Sequence, residues 1–333
     1  MQNRLCWAIL GTGKIANRFA AALNNIPDEA QLLAVGSRSA EKGRAFADKY
    51  GIPRVYHGYE AVAADPDVDI VYIGTPGVFH HHDVSMCLQA GKHVLCEKAF
   101  TTNAREAEDL VRLAREKKLF MMEAMWTRFF PIHVRIRELL AENAIGQVNG
   151  MVVNFMAKPP FDLENRFFKL ELGAGVLLDT GSYGISWAFS LLGRPQQVTG
   201  LAYFGESGAD YSSAYVLKFP GGALATITCS QVSYDYKEAV IFGSQGRIEV
   251  HDPWYKPTRM TMVVEGQAPQ EIEMPLGNFT GYEFEARAVM ECIRQGRTEC
   301  ELMPLDETIE IMSTLDQLRD QWGLKYPNEN PGK

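Results

Sequence analysis

The chain has 333 residues, enough for two domains that each bury a core of their own. A hydrophobic share of 46% beside 22% charged residues is that of a soluble globular protein, and it excludes a disordered or fibrous chain. The formal net charge of −8 argues against a general nucleic-acid binder, which would present a basic face.

No apolar run reaches the length of a membrane span. Met1-Gln2-Asn3-Arg4 leads almost at once into a strand, so no secretory signal is expected. Cys6, Cys87, Cys96, Cys229, Cys292 and Cys300 are scattered without paired or zinc-like spacing and read as reduced thiols of a cytoplasmic protein.

Leu5-Cys6-Trp7-Ala8-Ile9-Leu10 has the length of a buried strand, and Gly11-Thr12-Gly13-Lys14-Ile15-Ala16 follows at the head of an amphipathic helix (Ile15, Phe19, Leu23, Ile26). In that setting G-x-G-x-x-A is a dinucleotide fingerprint. Gly11 makes the turn, Gly13 lets the backbone approach a pyrophosphate, and Ala16 lets helix pack on strand. The competing reading is a glycine-rich turn with no ligand. The next strand, Gln31 to Gly36, ends in Ser37-Arg38-Ser39, without the acid that usually holds an NAD ribose. A hydroxyl and a guanidinium suit a 2′-phosphate, so NADP(H) is preferred over NAD(H).

Strand and helix patterns then alternate, which predicts a parallel, doubly wound sheet. The strand Val68–Gly74 leads into Thr75-Pro76-Gly77-Val78-Phe79-His80. His80-His81-His82 lacks a partner at ligand spacing, so no metal site is expected, although His80 can border a cofactor crevice. The strand His93-Val94-Leu95-Cys96 ends in Glu97-Lys98, at the strand end where open sheets bind ligands. The expected cofactor contacts are thus Gly11, Thr12, Gly13, Lys14, Ile15, Ser37, Arg38, Thr75, Pro76, His80, Glu97 and Lys98.

Glu123-Ala124-Met125-Trp126-Thr127-Arg128-Phe129-Phe130-Pro131 closes the sixth strand. It can line a substrate pocket with one cationic anchor, Arg128, or serve as packing at a hinge. The boundary is placed here: a Rossmann domain over residues 1–124, then a substrate-binding and oligomerisation domain over 125–333. Beyond Gly146, strands follow one another across short turns such as Pro220-Gly221-Gly222 and Ser244-Gln245-Gly246, and two helices close the chain. This predicts an α+β domain built on an open-faced, predominantly antiparallel sheet flanked by helices. Its exposed face suits a homodimer or homotetramer.

Within it, Asp179 and Tyr183 lie four apart at the start of a helix and share a face. A tyrosine with a lysine nearby can relay a proton, because the cation favours phenolate. Asp179 can hold the lysine or a substrate hydroxyl. A capping acid beside a packed tyrosine is the plainer alternative. Trp126, Arg128, Phe161, Arg166 and Phe168 are candidate pocket residues beside Asp179 and Tyr183.

Three stretches resemble the glucose-fructose oxidoreductase / inositol dehydrogenase / MocA (Gfo/Idh/MocA) family over essentially the whole chain: Gly11 to Ala16, Ala90 to Lys98, and Gly173 to Tyr183. The stretch Met122 to Pro131 is most similar to the dimeric dihydrodiol dehydrogenase / NADP-dependent D-xylose dehydrogenase branch. The resemblance implies reversible hydride transfer between NAD(P) and a carbinol carbon of a sugar, polyol or dihydrodiol. Lys98 and Tyr183 would be catalytic and Asp179 supporting. A deoxysugar 3-ketoreductase, a redox-assisted glycosidase and a non-catalytic NADP-binding sensor or scaffold are the alternatives. Two positions depart from the family pattern: Ala99 stands in place of the proline of Glu-Lys-Pro, and Gly77 in place of the asparagine of Thr-Pro-Asn.

Overall fold

The structure, a computed structural model, describes residues 4–329. Its first half alternates strand and helix as the apolar runs predict: β1 (Leu5–Leu10), α1 (Lys14–Asn24), β2 (Ala30–Ser37), α2 (Ala40–Tyr50), β3 (Arg54–His57), α3 (Glu60–Ala63), β4 (Ile70–Ile73), α4 (His80–Gln89), β5 (His93–Glu97), α5 (Ala104–Lys117) and β6 (Met121–Ala124). The six strands are all parallel, in the order β3-β2-β1-β4-β5-β6. Strand order reverses between β1 and β4, so the connections leaving their carboxyl ends run to opposite sides and leave a crevice. The strands are apolar on both faces because helices cover both, as the buried Trp7, Ile9, Val71, Ile73, Val94 and Leu95 show.

The second half runs α6 (Pro131–Ala141), β7 (Val148–Met156), α7 (Ser182–Leu192), β8 (Gln197–Phe204), β9 (Asp210–Lys218), β10 (Leu224–Ser230), β11 (Ala239–Gly243), β12 (Gly246–Val250), β13 (Arg259–Val264), β14 (Gln270–Glu273), α8 (Tyr282–Arg294) and α9 (Leu305–Trp322). Its eight strands form one sheet, β14-β13-β12-β11-β7-β10-β9-β8, antiparallel except where β10 lies parallel to β7. Alternation along the strands separates the faces. Met151, Val153, Ala225 and Ile227 point into the core, whereas Val152, Leu201, Tyr203, Leu224 and Phe242 point away from it and are exposed.

Helix α7 lies on the inner face of this sheet. Gly184 permits that closeness, since a Cβ there would stand 2.8 Å from Ile227 Cγ2. Trp187 stacks on Trp254 at 5.0 Å, and His133 beside them gives Nε2 to the Trp254 carbonyl at 2.8 Å. Burial pushes the His133 imidazole down to about 3, so it stays neutral.

The chain divides into two compact units: residues 1–126 with 277–309, and residues 127–276 with 310–333. The expected division at 124/125 therefore misplaces α8 and its flanks. The first unit holds this segment by polar contacts no hydrophobic pattern reveals. Arg287 grips Glu29 at 2.7 Å, Asn25 donates to Glu283 at 2.7 Å, and the Met121 amide donates to the Thr298 carbonyl at 3.2 Å. Ile227, fully buried beneath α7, provides a test of the second core. Ile227→Ala should cost about 2–5 kcal/mol in urea unfolding, and a loss below about 0.5 kcal/mol would contradict this packing.

Candidate active site

The crevice of the first unit is built by the turns after β1, β2, β4 and β5. Gly11 takes φ +92°, a left-handed conformation, and its amide donates to the Gly36 carbonyl at 3.0 Å. Gly13 is different. Its φ of −74° suits any residue, and a Cβ added there would meet nothing within 4 Å. The fold has no use for this glycine, whereas a pyrophosphate laid on the head of α1 does. Gly13 caps α1 without a side-chain bond, and no acid stands in the first turn, so the helix N-terminus is open to an anion. Thr12, Lys14 and Ile15 line the same turn, with Lys14 exposed. The residues present fit a dinucleotide.

At the end of β2, Ser37 is buried and its Oγ accepts from the Ser39 amide at 3.2 Å, so the hydroxyl braces the turn. Arg38 is exposed, with its guanidinium 5.3 Å from the Phe79 ring centre. After β4, Thr75 Oγ1 donates to Asp83 at 2.7 Å and Pro76 is exposed.

His80 does not border the crevice as expected. It is 1% exposed, with Nδ1 3.1 Å from the Ala99 and Phe100 carbonyls and Nε2 2.9 Å from the Thr75 carbonyl. Burial pulls its pKa down, so the ring is a neutral clasp between the turns after β4 and β5. That clasp fixes the backbone around Ala99, where the family proline is missing; the Lys98–Ala99 peptide is cis.

Glu97 is buried, accepts a short hydrogen bond from the Tyr72 hydroxyl, and turns its other oxygen to the Lys98 amide at 3.3 Å. Tyr72 stacks on Phe19 of α1 at 3.8 Å, which ties the end of β5 to the fingerprint helix. Behind them Glu285 of α8 is fully buried, and neither carboxyl oxygen has a protein partner among the described residues. Burial first, and then the charge of Glu97, hold its pKa well above the ordinary range, so it is a neutral acid.

The second unit gathers Asp179, Arg166 and Tyr183. Residues Leu177–Gly181 form a π-helical turn leading into α7, a local widening frequent at functional sites. Arg166 reaches Asp179 at 3.6 Å and lies 4.4 Å from the Phe167 ring centre. Tyr183 is 9% exposed in a set of rings, with Phe155 at 6.0 Å and Tyr255 at 5.7 Å. Phe161 is exposed and meets Phe168 edge-on at 4.9 Å, while Phe168 itself is buried against Ala174, Ala209 and Tyr211.

Two further expected pocket residues are interior, as Phe168 is. Arg128 is 1% exposed and spends its guanidinium on Ser186 of α7, at 2.8 Å to Oγ and 2.5 Å to the carbonyl. An arginine so engaged braces α7 and is not a free anchor for substrate. Trp126 is buried too, stacked on Tyr282 at 4.1 Å in the first unit. Sequence reasoning missed Tyr72, Glu285 and Tyr255. Tyr72 lies hidden in an apolar run, and the other two carry no local motif.

A parallel sheet in this strand order, with an anion-ready turn at its reversal, defines a dinucleotide-binding protein. Residues 5–125 match the oxidoreductase family with an NAD-binding Rossmann fold, and residues 133–249 match the GFO/IDH/MocA C-terminal domain. The chain belongs to the Gfo/Idh/MocA family. It is 34% identical to a trans-1,2-dihydrobenzene-1,2-diol dehydrogenase of Xenopus tropicalis, over 96% of this chain and 99% of that one. The human protein of the same name is 33% identical, over 98% and 99%. Among solved structures, a 3-ketoreductase from Actinomadura kijaniata in complex with NADP and TDP-benzene superimposes with a TM-score of 0.85 at 25% identity, covering 96% of this chain and 98% of that one. A levoglucosan dehydrogenase in complex with NADH and L-sorbose shares the fold with a TM-score of 0.89 at 18% identity, covering 97% of each chain. This chain is an NAD(P)-dependent oxidoreductase acting on CH–OH groups.

Gly13→Ala should leave unfolding within about 0.5 kcal/mol of wild type, because the new methyl touches no protein atom. Dinucleotide affinity, read by fluorescence titration, should fall at least about tenfold; equal affinity would contradict the cradle. Glu285 gives a pH prediction. Above the ordinary glutamate range the unfolded chain loses this proton while the folded protein keeps it, so stability falls as pH rises toward the folded pKa. Denaturation across pH should show Glu285→Gln losing that decline; an unchanged slope would contradict a neutral Glu285.

Proposed function

We propose that the chain interconverts a carbinol and a ketone on a small cyclic diol or sugar, with NADP(H) as the preferred cofactor. The observation that carries this reading is the full-length similarity to trans-1,2-dihydrobenzene-1,2-diol dehydrogenases. The NADP preference is supported by the exposed Arg38 and by the missing acid at the end of β2.

NADP(H), when bound, supplies the hydride acceptor or donor at nicotinamide C4. The chain holds it through the Gly11–Ile15 turn and the head of α1, and places Lys98 at the end of β5. Tyr183 takes the hydroxyl proton as the carbinol is oxidised and returns it in reduction. Lys98 favours the phenolate that accepts this proton. Asp179 orients a substrate hydroxyl, and Arg166 beside it limits that carboxylate's freedom. The rings of Phe155 and Tyr255 hold the Tyr183 ring in place. A deoxysugar 3-ketoreductase is the second reading, supported by the 25% identity to the Actinomadura enzyme.

The protein also forms a homodimer through the open face of its second sheet. Leu201 at 82% and Tyr203 at 63% exposure, with Val152, Leu224 and Phe242 on the same side, offer the apolar area such contacts use.

The test follows NADPH absorbance across a panel of dihydrodiols, pentoses and deoxysugar ketones. Tyr183→Phe and Lys98→Met should each lower kcat by about 10²–10⁴-fold while NADPH still binds. Near-normal turnover in either variant contradicts the relay, and silence across the panel with intact cofactor binding contradicts the substrate class.

A further inference from the structure

The turn that carries Asp179 and leads to Tyr183 begins at Leu177, whose amide is the first of the orphan donors that every helix start leaves. No neighbouring side chain caps it. Asp210, at the first position of β9 and 33 residues away in sequence, supplies the acceptor, with Oδ2 2.8 Å from the Leu177 nitrogen. Asp210 is fully buried, and its Oδ1 has no hydrogen-bond partner among the described residues. The chain makes room for this carboxylate. A Cβ at Gly175 would fall 1.9 Å from Asp210 Oδ1, and Gly175 itself takes φ +123°, a conformation that L side chains rarely adopt. Gly181, at the end of the same turn, leaves room for the Tyr215 hydroxyl, with which a Cβ there would clash.

A buried acid is costly, and an ordinary helix cap sits at the surface next to its helix. The long-range placement, the tailored glycine and the aim at this one amide share a single consequence: the turn before Tyr183 is held from β9. We propose that Asp210 is a positioning residue for the reaction, fixing the Leu177–Gly181 turn and through it Asp179 and Tyr183. This inference rests on the reading of Tyr183 as the proton carrier.

Desolvation pushes the Asp210 carboxyl up to about 7, against the lowering effect of the Leu177 amide and its own amide. Among the described residues, Tyr215 of β9, Cys229 of β10 and Tyr326 beyond α9 feel its charge. Burial keeps all three neutral, so none offers it a counter-charge. Ionised Asp210 is the stronger acceptor, so the turn tightens as pH rises past neutrality.

The experiment uses the full chain with NADP(H) and whichever panel substrate turns over. It measures kcat against pH together with hydrogen exchange of the Leu177 amide. Asp210→Ala should lower kcat about tenfold to 10²-fold, the scale of a misplaced catalytic group, and leave NADPH affinity intact. Its Leu177 amide should exchange faster than in wild type. Asp210→Asn, which keeps the shape and an acceptor if the alanine variant does not fold, should hold kcat at the wild-type low-pH value and lack the rise across neutrality. Unchanged Leu177 exchange and an unchanged kcat–pH profile in these variants overturn the proposal. Tyr183→Phe, run alongside, separates the two ideas: full turnover there removes the reading of Tyr183, while faster Leu177 exchange in the Asp210 variants still upholds the brace on the turn.

Discussion

The parallel sheet reverses its strand order between β1 and β4, and the first unit is arranged around that reversal. Where neighbouring connections depart to opposite sides, the carboxyl ends of the strands stay uncovered. The open space falls at the head of α1, which has no side-chain cap among the described residues and where a Cβ at Gly13 would meet nothing within 4 Å. Polar groups then fix the turns around the opening. His80 clasps the turn after β4 to the turn after β5, and the Tyr72–Glu97 bond ties the end of β5 to a ring stacked on α1. The main chain at Lys98 is therefore held from both sides, by the Glu97 carboxylate at its own amide and by His80 at the Ala99 carbonyl. The lack of a proline at Ala99 is offset by a side chain that binds the Ala99 carbonyl directly.

The second unit solves a different problem, which is to hold a tyrosine firmly on a helix lying over a sheet. Small residues let the helix approach, as at Gly184 over Ile227. Two buried ionisable residues then fix it: Asp210 at the Leu177 amide, in the turn that leads into the helix, and Arg128 at Ser186 on the helix itself. Apolar packing alone permits sliding and rotation, whereas directional bonds from the sheet and from the residues before α6 specify one setting. Arg128 is spent on a hydroxyl and a backbone carbonyl of the protein, and Asp210 on a backbone amide through one of its two oxygens.

Much of this organisation is legible in the sequence, and the reasons are local. The β1–α1 fingerprint, the end of β5 at Glu97-Lys98 and the succession of strands from Gln197 onward each follow from periodicity and turn residues within a short window. What the sequence hides is long-range. Arg128 resembles a pocket anchor until Ser186, 58 residues further on, is seen to take its guanidinium. Trp126 reads as pocket lining until Tyr282 covers it. Helix α8 looks like part of the second half until Glu29 and Thr298 place it in the first unit. His80 sits correctly near the crevice turns, but its direction, inward, depends on carbonyls from another strand end. Asp210 shows as an ordinary acid after a turn, because the amide that needs it lies on a different element.

The proposed reaction is hydride transfer between a substrate carbinol carbon and the nicotinamide. The most direct measurement is to supply the substrate deuterated at its carbinol carbon with NADP and examine the recovered cofactor by NMR. Direct transfer should leave one deuterium at nicotinamide C4 for each ketone formed, on a single face of the ring. Product formed without deuterium in the cofactor, or with the label lost to water, would contradict it.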